Sequence, residues 1–175
     1  LMNHITGDRP VRVQASGDFN AETPELERLE GSATLLRELT LGPAGNPWII
    51  VDKNLSCDVR MAHNKLTYAS GKNGRFRVPA LRLTGGFDHL TMNAEGPQTK
   101  YSGKGFLELE MLKEDKDKGR KLKGRLDLEY REDDTWNARG QVDYAITPYL
   151  GGQITAEMDQ DLDPVLGGTL VMQQK

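Results

Sequence analysis

Residues 135–173, TWNARGQVDYAITPYLGGQITAEMDQDLDPVLGGTLVMQ, alternate between apolar and polar residues, with glycines set into the apolar half of the pattern. Trp136, Ala138, Gly140, Val142, Tyr144 and Ile146 share one parity, so in a β-strand all of them point to one face. A helix would scatter the same residues around its axis, and an alternation of this length therefore specifies strand. The figure recurs: GFLELEML (105–112), GRLDLEY (124–130), GQITAEM (152–158) and GTLVM (168–172) each set apolar residues two and four places after a glycine.

The segments between these strands are short and turn-forming. KEDKDKGRK (113–121) reads as a charged hairpin tip, REDD (131–134) as an acidic turn, and TPYLGG (147–152) and DLDPVLGG (161–168) as turns built on proline and paired glycines. Short turns between alternating strands make neighbours antiparallel. The pattern extends backwards through PVRVQASGDFNA (10–21), GSATLLRELTLG (31–42), NPWIIV (46–51), LSCDVRM (55–61) and KLTYASG (65–71), with AHN (62–64) as a turn. Apolar parity changes at Pro79 and again between Phe87 and Leu90, and each change reads as a bulge or an edge position. Only ETPELERLEG (22–31) has helix-like spacing, from Leu26 to Leu29, enough for one or two turns.

The expected fold is all-β: an antiparallel meander of nine to twelve long amphipathic strands, curved and closing towards a barrel or sandwich, with at most one short helix. Residues 1–175 make a single β-repeat domain, since no linker divides them. The chain opens on Leu1 and not on an initiator methionine, which reads as a fragment of a longer protein.

Composition narrows the function. The formal charge is −3, with 23 basic residues against 26 acidic ones, which gives no footprint for nucleic acid. The longest apolar run, PWIIV (47–51), is far too short for a transmembrane helix. Cys57 is the only cysteine, so there is no intrachain disulfide and no thiolate metal site.

Glycine inside a strand loses packing and backbone entropy, so Gly105, Gly124, Gly140 and Gly152 need a reason. Three are open: sharp curvature of a long sheet, close approach of an aromatic such as Trp136 or Tyr144, or simple strand starts. Curvature leads, with Gly140 as a bend between Trp136 and Tyr144, and it predicts that Gly140→Val costs more than ~1 kcal/mol.

Chemical sites are scarce. His4, His63 and His89 lack partners at metal-binding spacing. Asp159, Asp161 and Asp163 start like a calcium loop, but Pro164 and Leu170 stand where such a loop needs glycine and an acid. Glu108, Glu110, Asp127, Glu129, Asp143 and Glu157 fall on one face and leave a carboxylate-dependent hydrolase as an alternative, although solubility alone asks for the same placement. No catalytic constellation and no cofactor motif is present, so the chain is read as non-enzymatic, with no cofactor and no metal.

The stretch KLKGRLDLEYREDDTWNARGQVDYAITPYLGGQITAEMDQDLDPVLGGTLVM resembles the glycine-paced β-repeat regions of very large bacterial toxin-like proteins, the polymorphic toxins and the cargo of contractile injection systems. That resemblance implies a structural or scaffold module of a secreted or cell-envelope protein, partnered by neighbouring segments of its parent chain or by another protein. A second resemblance is to bacterial envelope lipid-transfer proteins of the AsmA and TamB kind, whose curved sheets hold lipid in an apolar groove. A closed up-and-down barrel around a small apolar ligand is the third alternative.

Overall fold

A computed structural model describes residues 10–23, 25–43, 45–115 and 120–172. The strands are β1 (Val11–Asn20), β2 (Glu25–Leu35), β3 (Leu39–Leu41), β4 (Ile49–Val51), β5 (Ser56–Ala62), β6 (Lys65–Val78), β7 (Leu83–Asn93), β8 (Lys100–Asp115), β9 (Arg120–Tyr130), β10 (Trp136–Thr147), β11 (Leu150–Asp159) and β12 (Val165–Met172). All twelve belong to one antiparallel sheet in the order β1-β2-β5-β6-β7-β8-β9-β10-β11-β12. β3 and β4 form a small hairpin that joins the far end of β6, where Ile50 pairs with Arg77 and Val51 with Phe76. The all-β antiparallel meander expected from the alternation is thus present.

Closure is not. β1 and β12 lie at the two ends of the strand order and each pairs on one side only, so the sheet is open, neither a barrel nor a sandwich. Within the helix-like stretch, residues 25–31 are strand and not helix, because β2 is hydrogen-bonded between β1 and β5 and those two ladders outweigh a local spacing. Leu26 and Leu29 share a face despite their odd separation because the β1–β2 register shifts between Asp18 and Phe19.

Two turns are shorter than expected. In TPYLGG only residues 148–149 turn and β11 already starts at Leu150, and in DLDPVLGG β12 already starts at Val165. The paired glycines are seats within the ladders and not part of the turns. His63 and Asn64 both have positive φ, 49° and 59°, the two-residue geometry that suits the right-handed twist of a hairpin. At Pro79 the chain leaves β6, makes a 3₁₀ turn over Pro79–Leu81 and closes it with the Arg82 amide donating to the Pro79 carbonyl. The 3₁₀ turn is the only helical element among the described residues. The tip at 116–119 lies outside the described residues, as does His4.

Paired registers place the two faces. Ala138, Gly140, Val142 and Tyr144 stand opposite Leu128, Leu126, Gly124 and Leu122 on one side, and opposite Met158, Ala156, Ile154 and Gly152 on the other. These form a continuous apolar face. The opposite face carries Glu108, Arg125, Asp127, Lys123 and Asp143 in cross-strand neighbourhoods.

Almost nothing covers the apolar face. Among the described residues Leu35, 6% exposed, is the one buried hydrophobic residue, whereas Leu107, Leu126, Leu128, Ile154 and Leu166 are all exposed. A compact monomer of this mass exposes roughly 8,500 Å², while the surface here is 12905 Å².

Candidate functional site

β6 and β7 share an irregularity that shapes the middle of the sheet. Asn73 in β6 has φ 56°. Its neighbours Lys72 and Gly74 pair with His89 and Phe87, so Asp88 faces this point on β7. The β7–β8 register shifts between Phe87 and His89, which keeps Phe87 and Leu90 on one face although they are three residues apart. The parity change noted at this place in the sequence is a bulge, as expected.

Phe87 lies over β6 from there. Its Cε2 sits 3.1 Å from the Cβ position of Gly71, and its ring occupies the space that a Gly74 side chain would need. Phe76 covers Gly85 in the same way. On β8, Gly103 lies beneath Leu90, and a Cβ on Gly105 would meet the Gly86 carbonyl oxygen at 2.8 Å. Bare glycine backbone between aromatic walls leaves a hollow of about 680 Å³ on the apolar face, bordered by Phe87, Leu90, Tyr101, Leu128, Tyr130 and Trp136. The Tyr130 hydroxyl donates to Asp134 at 2.6 Å, and that hydrogen bond, with the nearby negative charge, raises the phenol above its usual value.

The singled-out glycines and aromatics separate. Trp136 pairs with Tyr130 at the border of the hollow, and Gly105 lies on its floor. Gly124 sits below the Met111 methyl, 3.3 Å from its Cβ position. Tyr144 covers Gly152, with its hydroxyl 2.7 Å from that Cβ position. Gly140 is different: a Cβ there would meet only the Ala156 carbonyl oxygen, at 3.9 Å, so neither Trp136 nor Tyr144 packs on it. Sequence reasoning missed the Phe87–Gly74 and Phe76–Gly85 covers. The available signal was that Gly74 and Phe76 share a parity.

The other face is a ladder of ions. Glu108 receives Lys123 at 2.7 Å and Arg125 at 3.5 Å, and Arg125 also holds Asp127 through both carboxylate oxygens. Arg125 hydrogen bonding keeps the Asp127 carboxyl below the usual carboxylate range, and the Gln153 amide, followed by Gln141, does the same for Asp143. A glycosidase needs one carboxyl held protonated, which calls for the opposite shift. Glu129 meets Arg131 at 3.2 Å and Glu157 accepts from Asn137 at 3.1 Å. Phe106 stands on this face between two guanidinium groups, Arg125 at 4.5 Å and Arg75 at 5.1 Å from its ring centre.

Arg75 ties the bulge together from this side. Its Nη1 donates to the carbonyls of Gly74 and Phe87 at 2.8 and 2.7 Å, and its Nη2 donates to Asp88 at 2.6 Å. The aliphatic part of Arg75 crosses Gly86, whose missing side chain leaves it room.

The remaining sequence candidates stay apart. His63 reaches only Glu25, at 3.2 Å on an exposed turn, and His89 pairs with Lys104 and Lys72 across its two ladders. Asp159 accepts from the Asp161 amide at 3.0 Å and closes a turn. Cys57 lies on the apolar side opposite Ala33 and Gly71. Among the described residues no three His, Cys, Asp or Glu side chains gather to hold a metal, and no helix is long and apolar enough to cross a membrane. No family model, no curated protein and no solved structure matches the chain.

Proposed function

We propose that this chain is a non-enzymatic structural module, one β layer of a large secreted, toxin-like bacterial protein, roofed over its apolar face by another part of the parent chain or by a protein partner. The observation that carries the proposal is the contrast between the faces. One is knitted by charged pairs suited to water, and the other leaves its large apolar side chains uncovered. A patch of that extent marks an interaction surface. The paired carboxylates, lowered and not raised in pKa where a shift is resolved, favour a structural role over hydrolysis.

The hollow at Phe87 and Trp136 favours a second reading, an apolar groove for lipid of the bacterial envelope. Native mass spectrometry of protein purified from cells without detergent separates the two. The scaffold reading expects the mass of the polypeptide alone. Stoichiometric acyl lipid, lost when Trp136 and Leu128 are replaced by serine, would overturn it in favour of the groove.

A further inference from the structure

The hollow beside Phe87 and Trp136 is built from β6 to β10, in the middle of the sheet, and neither end strand contributes to it. Its volume of about 680 Å³ is ordinary for a small-molecule site. Two of its features point to a ligand. The first is Gly105 on the floor. Rings from neighbouring strands cover Gly71, Gly74, Gly85 and Gly152, but the groups nearest a Cβ on Gly105 are the Gly86 carbonyl oxygen at 2.8 Å and the Phe87 Cβ at 3.5 Å. The Phe87 ring itself turns the other way, over β6. Bare backbone therefore faces the hollow at Gly105, as a flat seat of the kind that elsewhere on this face holds an aromatic ring.

The second feature is charge. Tyr130 and Trp136 pair where β9 meets β10, and the exposed turn between them, residues 131–134, carries three acids and one base. The nearby cations are turned away: Arg131 reaches Glu129 at 3.2 Å, and Lys104 stands opposite Glu129 on the parity of the ionic face. Asp133 is taken up by Thr135, whose amide and hydroxyl it accepts. Asp134 is drawn to the apolar side instead, where one carboxylate oxygen accepts the Tyr130 hydroxyl at 2.6 Å. That hydrogen bond and the negative charge beside it hold the phenol above its usual value, a sign of negative potential at this corner. Aromatic faces next to a carboxylate attract quaternary ammonium groups, which need no hydrogen-bond partner.

The two features are one ligand apart. Gly105 faces Leu128 and Gly103 faces Tyr130. The seat thus lies one strand and two residues from Tyr130, about 8 Å on standard strand spacings. A short alkyl linker between a ring and an ammonium group covers that span.

We propose that the hollow binds an aromatic organic cation, an arylalkylammonium ion, with its ring on Gly105 and its ammonium group against Tyr130, Trp136 and Asp134. This goes beyond the scaffold reading, which needs only the apolar surface. It also differs from the lipid groove in what is selected, a positive charge and a flat ring in place of an acyl chain. Native mass spectrometry decides between those readings without the probes used below, so each can fail separately.

The test is an NMR titration of the 175-residue chain with phenethyltrimethylammonium, its neutral tertiary-alcohol analogue and the aliphatic hexyltrimethylammonium. The aryl cation is expected to shift the Trp136 indole and Gly105 amide resonances, and to bind about tenfold more tightly than either companion. Asp134→Asn removes the charge, keeps an oxygen for the Tyr130 hydroxyl and suits the positive φ of 64°. It should lower the cation to the affinity of the alcohol and leave the alcohol unchanged. Asp161→Asn, which removes the same charge from the turn before β12, should change neither. Asp134 is exposed, so the cation's advantage should shrink as salt rises. Equal affinity for cation and alcohol overturns the proposal in favour of a plain apolar groove. Equal affinity for the hexyl cation, or an advantage that survives Asp134→Asn, overturns it too. So does a titration that shifts neither Trp136 nor Gly105.

Discussion

Phe87 over Gly71 and Gly74 and Tyr144 over Gly152 show what glycine does on this apolar face: it is the seat for a ring from the neighbouring strand. This matches the general device in which an aromatic rescues a strand glycine. It also separates glycines that look alike in sequence. Gly74→Val must displace the Phe87 ring and is expected to cost about 2 kcal/mol or more. Gly140 has room for a side chain, and Gly140→Val should stay within ~0.5 kcal/mol of wild type, as surface changes do. Urea midpoints of the two variants test this, and equal losses would instead favour curvature as the common role. Charge on the opposite face makes a second prediction. Arg125 lowers the Asp127 carboxyl, so its contribution is complete above the unfolded value, near 3.9, and fades as pH falls through the folded one. Asp127→Asn should therefore unfold less steeply with acid below pH ~4 while losing stability at neutral pH, as read by circular dichroism along a pH series.

At the scale of the strand, legibility depended on whether the information was local. Alternation in β8 to β12 is a property of consecutive residues, so strand identity and the antiparallel order could be read directly. The bulge between Phe87 and Leu90 announced itself as a parity change, whereas the change at Pro79, read as a bulge or an edge position, is the 3₁₀ turn that joins β6 to β7, across which parity need not be kept. β2 misled because Leu26 and Leu29 are three apart, and only its pairing with β1 reveals the bulge that creates this spacing. The hollow was equally hidden, since it gathers Phe87, Tyr101, Leu128 and Trp136 from separate strands. Arg75 was hidden for another reason: in sequence it is one more alternating cation, and its three acceptors appear only when Asn73 and Asp88 face each other. A planar fork serves those acceptors and an ammonium group does not. Arg75→Lys should therefore raise hydrogen exchange at Gly74 and Phe87 nearly as much as Arg75→Met, whereas exchange in β11 stays unchanged. Full protection in the lysine variant would mean that charge alone holds the bulge.

For the molecule as a whole, the open sheet sets an unusual thermodynamic expectation. Strands touch their neighbours in the ladder and no second layer of described residues stands on them, so stability comes from cross-strand pairs and half-buried apolar contacts and not from a closed core. The heat-capacity change of unfolding reports apolar surface that becomes exposed, at ~12–15 cal/mol/K per residue for compact domains. A compact chain of 175 residues would show roughly 2.1–2.6 kcal/mol/K on that scale. Here much of the apolar surface is already open in the folded state, so calorimetry of the isolated chain should give a value well below this range. The urea m-value should be low in proportion, since it follows the same exposed area. Roofing would alter it strongly: a partner layer across Leu107, Leu126, Leu128 and Ile154 should restore the full heat-capacity change and add cooperativity. A normal value for the chain by itself, in the absence of any ligand, would show that the face is already covered in solution and would remove the reason for a roof.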